Sequence, residues 1–244
     1  MLRKIYHSLF TKKLRASEAY NILSKKYDDE LNNDNIAVFY NSILLKKVFK
    51  SVNLQQKTIL DIGAGTGTNY LDLMQYEPSK YIACDVSEGM LNIFSQKHPE
   101  VEKFVINNEK LPFMEDNSAD AILSSLMIGY VKDLHKTFSE WDRVIKPNGH
   151  IIISFLSPSL SGKKSSRSFK DENNKTIFIE NYKHDTEKML EIFSLFNLEV
   201  LNFLNEKVDK KSIEIFKRIK KEQLFNEFQE KEIICGYVLK KRNN

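Results

Sequence analysis

Long apolar runs are missing from this chain. No stretch of the 244 residues approaches the length of a transmembrane helix, so a membrane-spanning protein is not expected. Cysteine is nearly absent: Cys84 and Cys235 stand far apart, each inside an apolar run. Two thiols so placed exclude a disulfide scaffold and a cysteine metal site; they read as buried thiols of a reducing compartment. An excess of one charge is missing too. With 37 basic and 33 acidic residues the net charge is +4, a balance that gives neither a nucleic-acid footprint nor a surface for a strongly acidic partner. Nor is a signal peptide legible, because Arg3, Lys4, Lys12, Lys13 and Arg15 interrupt Ile5, Leu9, Phe10 and Leu14. The opening segment, Met1 to Arg15, reads as a helix packed on the domain or a lead-in to it, with a lipid-touching basic helix as the alternative. Without span or signal, the expected compartment is the cytoplasm.

What is present is enough apolar material for a sizeable core, 41% hydrophobic and 11% aromatic residues. The length suits one large domain, or one domain plus a cap. From Lys57 onward, short apolar runs alternate with amphipathic ones. Thr58 to Ile62, Tyr81 to Asp85, Lys103 to Ile106, Ala119 to Ser124 and His150 to Phe155 read as strands. Between them, Thr66 to Tyr76, the segment after Ser87, and Asp133 to Ile145 read as helices, the last closed by Pro147-Asn148-Gly149. This alternation predicts a parallel sheet covered by helices on both faces. Ser17 to Val52 reads as mostly helical, and Ser157 to Asn174, rich in Ser, Lys and Asn, as a long mobile loop. Beyond it, helices are expected at Asp185 to Phe196 and Ser212 to Ile219, and strands at Leu198 to Leu204 and Ile233 to Leu239. There is no internal repeat.

The chemistry-bearing signal is Leu60-Asp61-Ile62-Gly63-Ala64-Gly65-Thr66-Gly67-Thr68, at a strand-to-helix turn. Glycines there allow a tight turn and close approach of a ligand to backbone; a turn that binds nothing is the plain alternative. A dinucleotide fingerprint would need its third glycine at position 68, which is Thr, and no basic residue of a phosphate loop follows. Asp61 adds a negative charge beside the loop, which repels phosphate and suits an ammonium group. A nucleoside with an amino-acid tail meets these conditions. Asp85, about 20 residues beyond the loop, can accept from both ribose hydroxyls, or alternatively cap the next helix, for which Ser87 is better placed.

These residues resemble the class I methyltransferases, and in particular the small-molecule branch called methyltransferase type 11. Leu60 to Thr68 is similar to the family's first motif and Cys84 to Leu91 to its second. Asn107-Asn108-Glu109-Lys110-Leu111-Pro112-Phe113 is similar to its adenine segment, Asn117 to Asp120 to its entry into the fourth strand, and Arg143 to Gly149 to its turn into the fifth. The resemblance implies an α/β, Rossmann-like seven-stranded sheet, mostly parallel with its last strand antiparallel. Glu232 to Leu239 would be that strand, with Leu198 to Leu204 at the edge beside it. It implies S-adenosylmethionine as cofactor and S-adenosylhomocysteine as product. The residues implied to hold it are Tyr27, Asp61, Gly63, Ala64, Gly65, Thr66, Gly67, Asp85, Val86, Met90, Asn107, Asn108, Glu109 and Ser125; no metal is implied. There are departures. Asn107 stands where the family has Asp, Asn148 where it has Gly, and Gly129-Tyr130 where many relatives carry His. Ala19 to Asp28, with Tyr20 and Tyr27, resembles a Tyr-Asp segment that folds over cofactor and acceptor in relatives, although plain helix packing explains it nearly as well.

Methyl transfer from a sulfonium needs alignment of the acceptor and exclusion of water, and a base only where the acceptor must lose a proton. No base is assigned; His184 and Tyr27 are the candidates by type, while His135 and His150 read as structural. The expected organisation is a helical cap over 1–52 and a methyltransferase domain over 53–244, the latter including a lid-like insertion at 157–184. The expected reaction moves a methyl group to an O, N or C atom of a small molecule, by a monomer or homodimer that does not bind nucleic acid. The alternatives are another enzyme on the same scaffold, a cofactor-binding protein without activity, and an RNA or protein methyltransferase. The basic run from Lys207 to Lys221 is interleaved with Glu206, Asp209 and Glu214 and reads as a solvated face.

Overall fold

The computed structural model describes residues 11–107, 110–160, 167–218 and 220–243, the side chains of 30–34 and 211 excepted. Five of its strands follow the parallel pattern expected: β2 (Thr58–Ile62), β3 (Lys80–Asp85), β4 (Glu102–Val105), β5 (Ala119–Ser125) and β6 (Ile145–Leu156). With β9 (Leu198–Lys207) and β10 (Glu232–Lys241) they form one seven-stranded sheet in the order β4-β3-β2-β5-β6-β10-β9. β10 runs antiparallel to both β6 and β9, as the resemblance implies.

Period-two alternation sends neighbouring side chains of each central strand to opposite faces. Ile59, Tyr81 and Ala83 go to a core shared with Leu44, Val48 and Phe49 of α2 (Ile36–Ser51) and Leu91 and Phe94 of α4 (Glu88–Lys97). Leu60, Ile62, Ile82 and Cys84 go to the other, against Phe138 and Trp141 of α5 (Leu134–Val144) and Phe193 of α6 (Thr186–Leu195). Both thiols lie in these layers, Cys84 and Cys235 fully buried. The helix starts are fixed by side-chain acceptors: Ser87 accepts from the Met90 amide, Asp133 from Lys136 and Asp185 from Lys188. Two short helices, α7 (Ile213–Arg218) and α8 (Glu222–Phe228), fill the connection before β10.

Several expectations are corrected. The helix after the glycine loop is only α3 (Tyr70–Met74), because residues 63–69 are spent in turns. Pro147-Asn148-Gly149 lies within the run of β6, as an excursion between the Ile145↔Ala119 and His150↔Ala121 pairs. Asn148 there has φ +62°, the left-handed geometry that Asn tolerates. The segment expected as a mobile loop carries β7 (Ser168–Lys170), which forms a hairpin with β8 (Thr176–Ile179) just beyond it; residues 161–166 lie outside the described part. The opening segment is not a helix where it is described: β1 (Thr11–Leu14) pairs in parallel with β8. A second, three-stranded sheet, β1-β8-β7, thus joins the N-terminal segment to the insertion. Its own core is Leu14, Ala19, Leu23, Phe169, Ile177 and Ile179, packed against α1 (Ala16–Asp34). α8 was not foreseen.

Candidate active site

The glycine loop lies at the carboxyl ends of β2 and β3, where open α/β sheets place their ligands. Its three glycines have φ of +85°, +58° and +87°, a region that side-chain-bearing residues avoid. Their surroundings differ. A Cβ on Gly63 would stand 2.7 Å from the Met127 side chain, and one on Gly67 2.8 Å from the Phe94 ring. A Cβ on Gly65 would meet nothing within 4 Å. Gly63 and Gly67 therefore permit packing, and Gly65 borders open space.

The loop's amides are already committed. Gly63 and Ala64 donate to the Cys84 carbonyl at 2.8 and 2.9 Å, Gly65 donates to Asp85 Oδ2 at 2.9 Å, and Gly67 to the Ala64 carbonyl at 3.0 Å. A loop with its amides turned back onto the protein is no phosphate cradle, in keeping with the missing dinucleotide glycine. Asp85 also accepts from the Ser87 amide at 2.8 Å. Burial pushes its carboxyl up to about 6, against the opposing pull of the amide bonds from Ser87, Gly65 and Val86. An ionised carboxylate has about four acceptor positions, so the three amide bonds still leave one for a hydroxyl donor.

Asp61 is fully buried within the domain rather than on the loop's open side. Tyr81 donates to its Oδ2 at 2.6 Å, and Oδ1 has no partner. Burial raises this carboxyl to about 7; the Tyr81 hydrogen bond opposes the shift and the Asp85 charge adds to it. Met90 is buried and Val86 half-buried at the start of α4. Asn107 is exposed, and its Oδ1 accepts from the Lys110 amide at 3.1 Å. Asn108 and Glu109 lie outside the described residues.

Helix α1 closes over the loop. Asn21 Oδ1 accepts from Ser87 Oγ at 2.7 Å and from the Gly89 amide at 2.8 Å. Asp28 accepts from Thr66 Oγ1 within the loop and from Lys97 at 2.9 Å. Gly89 leaves room for this contact, since a Cβ there would stand 2.7 Å from Ser24 Oγ. Tyr27 is held in a cluster with Tyr20, Tyr130 and Arg167, and the Asp85 charge raises its hydroxyl pKa after burial has done so.

A cavity of about 650 Å³, within the range that holds small ligands, is lined in part by Leu126, next in chain to the Met127 that packs over Gly63. Its walls are largely apolar, with Val38, Leu126, Ile128, Phe155 and Met189 among them. Leu126 follows β5 with φ +55°, a strained setting for a leucine, which points to a position constrained by its surroundings. Ser125, just before it, accepts from Asn41 at 2.9 Å. Asn41 is a buried polar residue in the apolar run of α2, its Oδ1 without a partner. The lone amide in Phe39-Tyr40-Asn41-Ser42-Ile43-Leu44 was the only sequence signal for it. His184 lines the cavity wall, yet its Nε2 is bonded to the Val131 carbonyl at 2.8 Å and its Nδ1 is sealed from solvent. Burial lowers its pKa, so the ring is neutral. Asp28 belongs to the Tyr-Asp segment expected over the cofactor, whereas Asn41 and Arg167 were not singled out in the sequence. His135 packs against Phe196, and His150 is half-buried in β6.

A glycine loop and a strand-end acid on a sheet of this order, with its penultimate position taken by an antiparallel strand, define a class I, Rossmann-like methyltransferase fold. Residues 60–153 match a family model described as a methyltransferase domain. An S-adenosylmethionine-dependent methyltransferase from Mesorhizobium loti has the same fold, with a TM-score of 0.64 at 15% identity over 82% of this chain and 97% of that one. The bifunctional biotin biosynthesis protein BioHC of Cellvibrio japonicus is 37% identical over 106 residues, 43% of this chain and 21% of that protein. The demethylmenaquinone methyltransferase of Streptomyces avermitilis is 31% identical over 135 residues, 55% of this chain and 57% of the other. The chain thus matches less than two thirds of the length of these two relatives. No helix among the described residues is long and apolar enough to cross a membrane.

Proposed function

We propose that this protein is an S-adenosylmethionine-dependent methyltransferase acting on a small-molecule acceptor. The observation that carries the proposal is the open space at Gly65, whose amide is hydrogen-bonded to the strand-end carboxylate of Asp85. When bound, the sulfonium cofactor supplies a methyl group activated for in-line displacement, with S-adenosylhomocysteine as product. Asp85 would accept from the ribose hydroxyls, and the loop backbone at Gly63, Ala64, Gly65, Thr66 and Gly67 would line the nucleoside's amino-acid tail. Val86, Met90 and the segment from Asn107 would border the adenine. Asn107 lacks the charge of the family's Asp, so its bond to an adenine amino group is the weaker kind. Asp61 contributes a negative field from inside the domain, and Ser125 borders the passage to the cavity. Tyr27 and the α1 contacts keep water out of the reaction axis.

No base is needed for an acceptor that arrives as a nucleophile. His184, with one nitrogen bonded to backbone and the other sealed, is poorly placed to take a proton from the cavity. The apolar walls and the charge balance suit a small organic molecule better than RNA, a reading supported by the likeness to a demethylmenaquinone methyltransferase. The cytoplasm and a monomeric or dimeric state complete the reading.

The test has two parts. Calorimetry should detect S-adenosylhomocysteine binding, weakened at least tenfold by Asp85→Ala, about 1.4 kcal/mol. Labelled S-adenosylmethionine in a cell extract should pass its methyl to a low-molecular-weight acceptor. Binding without any transfer would favour the second reading, a cofactor-binding protein, for which Asn107 speaks. Absence of binding would overturn both.

A further inference from the structure

The cavity lined by Leu126, Ile128 and Met189 is largely apolar, yet one wall carries a guanidinium. Arg167 stands just before β7 and lines the cavity with Tyr130. Its Nη1 donates to Tyr20 Oη at 2.8 Å, and Tyr20 in turn donates to Tyr130 Oη at 2.9 Å. The guanidinium carbon is 5.2 Å from the Tyr20 ring centroid and 5.3 Å from that of Tyr27, within cation–π range. Tyr20 lies edge-on to both Tyr27 and Tyr130, at 6.0 and 5.5 Å. Three tyrosines from two segments thus fix one arginine side chain.

No carboxylate among the described residues lies within ion-pair distance of Arg167. Asp185, on the same cavity wall, accepts from the amide of its own helix at Lys188. Glu180, next in chain to β8, pairs with Lys13 at 3.6 Å. A half-buried cation without a counter-charge is costly, and a guanidinium has five donors of which the protein takes few. Its planar fork matches a carboxylate or phosphate with two parallel hydrogen bonds, and desolvated walls strengthen that bond.

Building on the methyltransferase reading, we propose that Arg167 is the anion-recognition residue of the acceptor site, and that the acceptor is an amphipathic molecule with a carboxylate or phosphate group and an apolar body. The apolar body lies against Val38, Ile128, Phe155 and Met189, and the anion takes the donors that Tyr20 and Tyr27 leave available. The tyrosines act as positioning residues that hold the fork toward the cavity. Specificity then comes largely from the acceptors left out: a neutral molecule of the same shape would fill the cavity and leave the guanidinium desolvated and unpaired.

The experiment uses the full chain saturated with S-adenosylhomocysteine and three probes of equal chain length: octanoate, octyl phosphate and octanamide. Dissociation constants are measured by ligand-observed NMR. Wild type should hold at least one of the two anions about tenfold more tightly than octanamide, or about 1.4 kcal/mol. Whichever anion is preferred identifies the head group as carboxylate or phosphate. Arg167→Met, which keeps the apolar stem, should bring the ratio close to one while octanamide binds as before. Arg167→Lys should keep a several-fold preference, since charge remains and the fork is lost. The proposal is overturned if wild type shows no preference, or if the preference survives in Arg167→Met. Should Arg167→Met fail to fold, the wild-type ratio and Arg167→Lys decide: an anion preference in Arg167→Lys undiminished from wild type overturns the proposal. Binding of S-adenosylhomocysteine is measured on the same samples. Its absence in wild type sinks the methyltransferase reading, whereas its presence without anion preference sinks only the assignment of Arg167.

Discussion

Asp61 and Asp85 are two buried carboxyls with raised pKa values, about 7 and about 6, on neighbouring strands. The direction fixes a pair of opposed pH trends. Because each binds its proton more tightly in the folded state than in an open chain, ionisation destabilises the ligand-free fold. The associated stability is fully present below about pH 4, the ordinary carboxylate range, and is lost as pH rises through 6 to 7. Ligand binding moves the other way, since hydroxyl and ammonium donors need the ionised carboxylates. Thermal melting with and without S-adenosylhomocysteine between pH 5 and 8 should show a shift that grows with pH; a shift that shrinks would count against the pair. Tyr81→Phe removes the bond that favours the Asp61 anion and should move the rise to higher pH. The glycines divide similarly. Gly65→Ala has space but the wrong φ, so it should cost about 1 kcal/mol in stability and weaken ligand binding more. Gly67→Ala should cost more stability, because its methyl group meets the Phe94 ring.

Among the elements, α1 is held in place by side-chain hydrogen bonds at Asn21, Asp28 and Tyr20. Asn21 supplies the acceptor for both Ser87 Oγ and the Gly89 amide at the start of α4. Asn21→Ala should speed amide hydrogen exchange across 16–29 while β2 and β3 keep their protection; equal change in both would mean the helix is not a separate unit. The sheet elements were legible in the sequence because each is an apolar run bounded by turn residues, and the glycine loop with Asp85 marked the ligand end. The small sheet was not legible: β1, β7 and β8 span three or four residues, too short for a period to register, and Thr11-Lys12-Lys13-Leu14 looks like a charged lead-in. The site divides along the same line. Gly65 and Asp85 announce themselves by local spacing. Arg167, Asn41 and Asp28 gain their meaning only from partners far away in the chain, at Tyr20, Ser125 and Thr66. His184 was picked by residue type, and type alone does not reveal that its nitrogens face the protein.

At the scale of the whole molecule, one sheet provides the loop and the acid, and a second small sheet with α1 carries the tyrosine and arginine cluster. The pre-core helices and the insertion are expected to act together as a lid over the acceptor. Deleting 159–173 would remove Arg167 and β7, and should abolish turnover while S-adenosylhomocysteine binding persists; undiminished turnover would rule the lid out. The N-terminal segment and the insertion meet through the parallel register of Thr11↔Thr176 to Leu14↔Ile179. During synthesis β1 is made well before its partner β8, and every strand of the larger sheet up to β6 lies between them in the chain. By then every strand up to β6 is available to pair, so the small sheet closes onto a scaffold that can already hold its shape.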